Sequence, residues 1–309
     1  MTFEFKPATR ERTPCMVGLV GPSGTGKTFS ALRLATGMQK VSGGDVAVVD
    51  TEGRRALHYA DKFKFLHLDF GPPFSSLRYL EAVEAAVSRG CKTIVIDSMS
   101  HEHEGEGGVL EQAGMGPEKD GRIPFSAWIK PKAARRRMIN RFMQLPCNLI
   151  LCFRAQEKLK VIVGKEPEKR GFQPIADERF MYEMLVSFLL LPGANGFPVW
   201  RTEHDQDQRT LMKLPGQFQH LFASKDGRQL DEAIGQELAE WSAGVTHKTG
   251  PSVADEMVAA YEQATPDDIL GLEERRASAW SAFTKSEKAR VKQAADTAKE
   301  RGGSADEGP

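Results

Sequence analysis

The chain has 309 residues, 27% of them charged and 40% aliphatic or aromatic, with 42 basic and 42 acidic side chains that cancel. This is a globular composition, long enough for one sizeable α/β core with an appendage or for two small domains. It excludes a disordered chain and any global charge excess that would itself announce a nucleic-acid partner. The longest apolar run, 184–192, is far short of a bilayer span, and the opening MTFEFKPATRER lacks the apolar stretch of a signal peptide. A cytoplasmic protein with no membrane partner is therefore expected.

From Cys15 onward, short apolar runs alternate with amphipathic segments, which predicts an α/β fold with a mostly parallel central sheet flanked by helices. Strands are expected at 15–20 (CMVGLV), 46–50 (VAVVD), 92–97 (KTIVID), 148–153 (NLILCF) and 185–191 (LVSFLLL), with a weaker edge strand at 64–68. Their unbroken hydrophobicity fits burial on both faces. Helical periodicity runs from 27 to about 39, and again from 76 to 89, where Leu77, Leu80, Val83 and Val87 recur at three and four residues. Cys15, Cys91, Cys147 and Cys152 lie in or beside the strand runs without CxxC spacing, as buried structural thiols do.

The core is expected to fill 1–245, and the polar stretch 246–252, with Gly250 and Pro251, reads as a linker. A helical unit follows over 253–301. Its starts are marked by Ser252 with Asp255, Thr265 with Asp268, and Thr284 with Glu287, each close to a capping box. Met257, Tyr261, Leu272, Trp280 and Phe283 would supply its packed face, and 302–309 reads as a disordered tail.

The chemistry concentrates after the first strand. Gly21-Pro22-Ser23-Gly24-Thr25-Gly26-Lys27-Thr28 is a complete G-x-x-x-x-G-K-[ST] match between a strand and a helix, the setting in which backbone N–H groups cradle phosphates. Lys27 would reach the β- and γ-phosphates and Thr28 would hold Mg²⁺. A second magnesium ligand is expected at Asp97, which ends the run TIVID as the acid of a Walker B strand does. Ser98 follows it, so no glutamate adjoins the metal acid. The carboxylate that orients water is instead expected at Glu52, two residues past the second strand at the ligand edge of the sheet. No [NT]-K-x-D guanine-reading motif follows the fifth strand, which favours ATP over GTP.

The segment VAVVDTEGRRALHYADKF resembles the part of RecA-type recombinases in which a strand ends in an acid and a catalytic glutamate lies two residues on, and TIVIDSMS is similar to their Walker B strand. LILCFRAQ resembles the strand whose end senses the γ-phosphate, which implies that role for Gln156, with Arg154 as the alternative. The resemblance covers roughly 13–200 and points to a RecA-like P-loop ATPase, among the phage-encoded AAA-family ATPases of the single-strand annealing and recombination type. It implies Mg²⁺-dependent ATP hydrolysis stimulated by single-stranded DNA, a homo-oligomer with ATP at subunit junctions, and a single-strand binding protein as a further partner. A nucleotide-switched helicase loader or scaffold, and a DNA-translocating motor, are the alternatives.

Twelve Lys or Arg stand against three Glu between Lys130 and Arg170. The first group, Lys130 to Arg141, lies on an expected helix. The second, with Lys158, Lys160, Lys165, Lys169 and Arg170, follows the sensor strand, where RecA-like proteins meet DNA. Both fit either phosphate contacts or a solvated face. An Arg or Lys from a neighbouring subunit would complete the site, with Arg154, Lys158, Lys160, Arg170 and Arg201 as candidates. His101-Glu102-His103-Glu104 lacks metal-site spacing and reads as a polar loop beside the nucleotide.

Overall fold

The structure is a computed structural model that describes residues 7, 8, 11, 13–114, 124–160, 168–200, 212–222, 227–244, 253–280, 283 and 285–303. Seven strands form the sheet: β1 (Met16–Gly21), β2 (Val46–Asp50), β3 (Leu66–Asp69), β4 (Thr93–Asp97), β5 (Asn148–Lys160), β6 (Glu168–Pro174) and β7 (Val186–Leu189). Their order is β3-β2-β4-β5-β1-β7, with β6 paired to β5 off this path. Among the described residues every strand pairing along the path is parallel, β5–β6 is antiparallel, and β7 adds isolated antiparallel bridges from Ser187 to Lys213 and from Leu189 to Val199. This is a P-loop NTPase fold.

Period-two alternation divides the buried strand residues between two cores. Val17, Leu19, Val48, Val95 and Ile150 face α1 (Lys27–Ser42), whereas Val20, Val49, Ile94, Ile96, Leu149 and Phe153 face α2 (Ser76–Ser88) and, further along the chain, the helix Ile129–Phe142. Short helices α3 (His101–Glu104) and α4 (Val109–Gln112) precede Ile129–Phe142, which is α5, and α6 (Arg179–Glu183) follows it. The four cysteines are buried free thiols, and burial pushes Cys15 up to about 12.

Two longer elements of the core depart from the sequence reading. β5 was expected to stop at 153 but runs to Lys160, because beyond Arg154 it leaves the parallel sheet and pairs with β6, with Gln156 opposite Gln173. EKRGFQP offers no apolar alternation, so the ribbon has no signature in the sequence. The second is α7 (Glu232–Ser242), capped by Asp231, whose carboxylate accepts from the Ile234 N–H at 2.9 Å. It lies against α1 in the same core through Ile234, Leu238 and Ala239. Arg33 of α1 clamps both oxygens of Glu232, with its shortest contact at 2.8 Å.

The chain divides into two compact units, 1–246 and 247–309. The second holds α8 (Val253–Gln263), α9 (Ile269–Ala279) and α10 (Lys285–Gly303) around Met257, Tyr261, Leu272, Phe283, Val291 and Ala295. The Asp268 carboxylate accepts from the Thr265 N–H at 2.9 Å and from its hydroxyl at 2.6 Å, one half of the box expected there. Gly302 and Gly303 belong to α10 rather than to the tail; 304–309 and the linker 246–252 lie outside the described residues. No helix among the described residues is long and apolar enough to cross a membrane.

The α1–α7 crossing depends on two missing side chains: a methyl at Gly37 would overlap the Glu232 carbonyl, and one at Gly235 would overlap that of Leu34. Gly235→Ala should therefore cost about 1–3 kcal/mol despite the better helix propensity of alanine. Urea unfolding measures this as a lower midpoint at unchanged slope; an unchanged or raised midpoint would show that the helices can part without cost.

Candidate functional site

The parallel register brings the carboxyl ends of β1, β2, β4 and β5 level: Gly21 sits beside Arg154, Asp50 beside Asp97, and Asp97 beside Cys152. Ligands of such sheets bind beyond this edge. The chain leaves β1 through Pro22–Gly26, where Gly24 and Gly26 take positive φ of 79° and 90°. At Gly21 any side chain would collide with the Leu190 carbonyl and the Thr25 hydroxyl. No side chain caps α1, so its first N–H groups and its positive dipole end face the cavity.

Lys27 is buried and turns its Nζ back onto the carbonyls of Gly21 at 2.8 Å and Pro22 at 2.6 Å. Burial, helped by the Arg154 charge, draws its ammonium below the usual lysine range against the pull of Asp97 and Glu52. Thr28 donates its hydroxyl to Asp97 Oδ2 at 2.5 Å. Asp97 is buried at the end of β4, and desolvation pushes its carboxyl up to about 6, with Glu52 adding to the rise. A hydroxyl and a carboxylate in contact are the hard oxygen donors that Mg²⁺ accepts when phosphate oxygens and water complete its shell. These residues therefore fit a magnesium nucleotide.

Glu52 is aimed by Asp50, whose buried carboxylate accepts from the N–H groups of Glu52 at 2.8 Å and Ala56 at 2.9 Å and bonds His67 at 3.1 Å. The Glu52 carboxylate is gripped by Arg154, Nε to Oε1 and Nη2 to Oε2, each at 2.7 Å. Arg55 adds a contact of 3.3 Å. Burial would raise the Glu52 pKa, but the Arg154 guanidinium outweighs it and holds the carboxyl below the usual range. Thr51 ties the two strand ends together: its hydroxyl accepts from Ser98 N at 2.7 Å and bonds His101 Nδ1 at 2.6 Å. Ser100 Oγ accepts from Arg154 N at 2.9 Å.

Lys27, Thr28, Glu52, Asp97 and Arg154 thus share one cavity of about 220 Å³ with Ser23, Gly24 and Gly26. Its further wall is Phe29, Arg55 and Tyr59, with the Phe29 and Tyr59 rings 5.6 Å apart. Nothing in their spacing singled these three out. Gln156, expected to sense the γ-phosphate, does not line this cavity. It lies two residues past the point where β5 leaves the parallel sheet, exposed on the β5–β6 ribbon, and Arg154 occupies the position expected of it. Of the candidates for action in a neighbouring subunit, Lys158 is exposed on the ribbon, while Arg201 and the side chains of Lys160 and Arg170 lie outside what is described.

The segment 101–104 is the helical turn α3 rather than a loop, and three of its side chains have protein partners. His101 stacks on Phe74 with centroids 5.0 Å apart. Glu102, fully buried, pairs with buried Arg135 at 2.8 Å and accepts from Ser76 Oγ at 2.5 Å. Arg135 also reaches Asp177 and His103 Nδ1, each at 2.9 Å. Among the described residues no group of three or more His, Cys, Asp or Glu gathers as a metal centre.

The pKa of Asp97, raised from an ordinary 3.8 to about 6, means that the folded apoprotein holds a proton the unfolded chain releases. Its stability therefore falls as pH rises through this window. Asp97→Asn should raise apoprotein stability at pH 7 by on the order of 1–3 kcal/mol, with the gain gone by about pH 4, while abolishing magnesium-supported nucleotide binding. Denaturant melts at the two pH values check the first part and calorimetric titration the second; an equal shift at both pH values would contradict it.

Residues 13–188 match a family model described as AAA domain. No curated protein matches the chain. The match spans more than half of the sequence and contains the phosphate loop, Glu52, Asp97 and Arg154, so the chain belongs to the AAA-domain family of nucleotide-binding P-loop ATPases.

Proposed function

We propose that the protein hydrolyses ATP with Mg²⁺, stimulated by single-stranded DNA, as a homo-oligomer of the RecA-like kind that phages use in recombination and single-strand annealing. The observation that carries the catalytic part is the convergence of Lys27, the Thr28–Asp97 pair and Glu52 on one cavity, with the general base supplied from β2 rather than from the residue after Asp97.

On nucleotide binding, Lys27 exchanges the Gly21 and Pro22 carbonyls for β- and γ-phosphate oxygens, and the N–H groups opening α1 take the remainder. Magnesium, when bound, neutralises charge on those oxygens. Glu52 orients a water whose oxygen forms the new bond to the γ-phosphorus as the bond to the β,γ-bridging oxygen breaks; the carboxylate accepts the water's proton. It can do so only when Arg154 lets go. The γ-phosphate competes for that guanidinium, so the triphosphate itself frees the base. Phe29 and Tyr59 offer ring faces to the base of the nucleotide.

The DNA part rests on the basic side chains of α5 and the exposed Lys158 of the ribbon that Arg154 begins. The oligomer reading rests on the RecA-like resemblance, in which an Arg or Lys of a neighbouring subunit completes the site. A second reading is favoured by the Glu52–Arg154 ion pair: a protein whose base is latched in the resting state suits a nucleotide-switched loader or scaffold with slight turnover.

Steady-state ATP turnover with and without single-stranded DNA across a salt series, using Lys27→Ala as the blank, tests this reading. DNA should raise the rate, and Arg154→Ala should cut the stimulated rate by on the order of 10²-fold or more. Absence of stimulation at every salt would remove the DNA part. A rise in basal rate on losing Arg154 would favour the switch.

A further inference from the structure

We propose that the outer face of α5, with the turn that leads into it, is a binding site for single-stranded polynucleotide. This rests on the DNA-dependent reading above and names the surface that makes the contact.

The helix has two faces of different character. Pro131, Arg135, Met138, Ile139 and Phe142 are buried against the sheet, while Lys132, Arg136, Arg137 and Arg141 are exposed. Arg136, Arg137, Asn140 and Arg141 line an open groove of about 420 Å³ against Leu80 and Glu84 of α2. Among the described residues Glu84 is the one acid paired with this ridge, meeting Arg141 at 2.8 Å, and Arg136 and Arg137 have no acidic partner. Lys132 to Arg141 covers about 14 Å of helix axis, over which a polynucleotide strand passes several phosphates.

At the amino end of the ridge, Phe125 is 82% exposed and Ile129 59%. Trp128 is half-buried beneath Lys132, whose Nζ lies 5.2 Å from the ring centroid. An exposed phenyl ring at the amino end of a ridge of arginines serves no core. It matches a ligand that presents anionic groups and flat apolar faces together. A duplex hides its base faces in the stack, whereas a single strand offers both.

The inner face of the same helix connects the ridge to the nucleotide cavity. Arg135 holds Glu102, in the segment that follows Asp97, and that segment reaches Glu52 through His101 and Thr51. A strand seated on α5 therefore bears on the segment that contacts Thr51, the neighbour of Glu52 in the chain.

The test is fluorescence anisotropy of labelled oligo(dT), its oligo(rU) counterpart and a duplex between about 50 and 200 mM salt, with wild type, Arg136→Glu/Arg137→Glu, Phe125→Ala and Lys158→Glu. Thermal stabilisation by MgATP controls for folding. The double charge reversal should weaken oligo(dT) binding by roughly tenfold or more and make the log–log salt slope less negative by about 1 to 1.5. Phe125→Ala should weaken it by roughly 5- to 100-fold at an unchanged slope. Binding that survives the double reversal but is lost in Lys158→Glu overturns the α5 site and leaves the DNA reading standing. Wild type that binds no strand at any salt defeats both. Equal duplex binding with no effect of Phe125→Ala overturns the single-strand preference, and a sedimentation change of the free double variant makes the face a contact between copies instead.

Discussion

The hydrogen bond from Thr28 to Asp97 is the constraint on which the site depends. β5 lies between β1 and β4, so a residue at the start of α1 and one at the end of β4 meet only because the parallel register ends those strands level and the loop after β1 turns tightly enough to reach across. The tightness comes from Gly21, where no Cβ fits, and from the left-handed glycines at 24 and 26. Burial of Asp97 then makes its charge costly in the apoprotein, and a cation relieves that cost. In the proposed function, the residue that destabilises the empty fold is the one that recruits the magnesium.

A second contact governs what that ligand can set in motion. Glu52 and Arg154 come from β2 and β5, strands separated by β4, and each occupies the other's hydrogen-bonding groups. A carboxylate so held is a poor base, and an arginine so held is withheld from phosphate. The pair is consistent with an enzyme at rest and gives the triphosphate something specific to break. Arg154 also stands where β5 passes from the sheet into the β5–β6 ribbon, so a force on the ribbon would be felt at Glu52.

Much of the framework was legible because its causes are local. Continuous apolar runs mark β1, β2 and β4 as strands buried on both faces, the glycine spacing marks the loop after β1, and Glu52 and Asp97 stand out as acids at the strand ends where the cavity forms. What stayed hidden depends on contacts distant in sequence. Strand propensity cannot tell where β5 leaves the sheet, and that decides which of Arg154 and Gln156 lines the cavity. The partnership of Glu102 with Arg135 joins residues 33 apart and turns an apparent basic helix into one with a buried arginine anchor. α7 carries an ordinary amphipathic sequence; the glycine-mediated crossing that seats it on α1 involves Gly37, far upstream.

The central claim is that Glu52, and not a residue adjoining Asp97, handles the proton of the attacking water. Single-turnover hydrolysis by Glu52→Gln, alongside its affinity for MgATP, tests it most directly. The account predicts affinity within a few-fold of wild type with the chemical step slowed by about 10²-fold or more. A variant that binds and cleaves ATP as wild type does would contradict it.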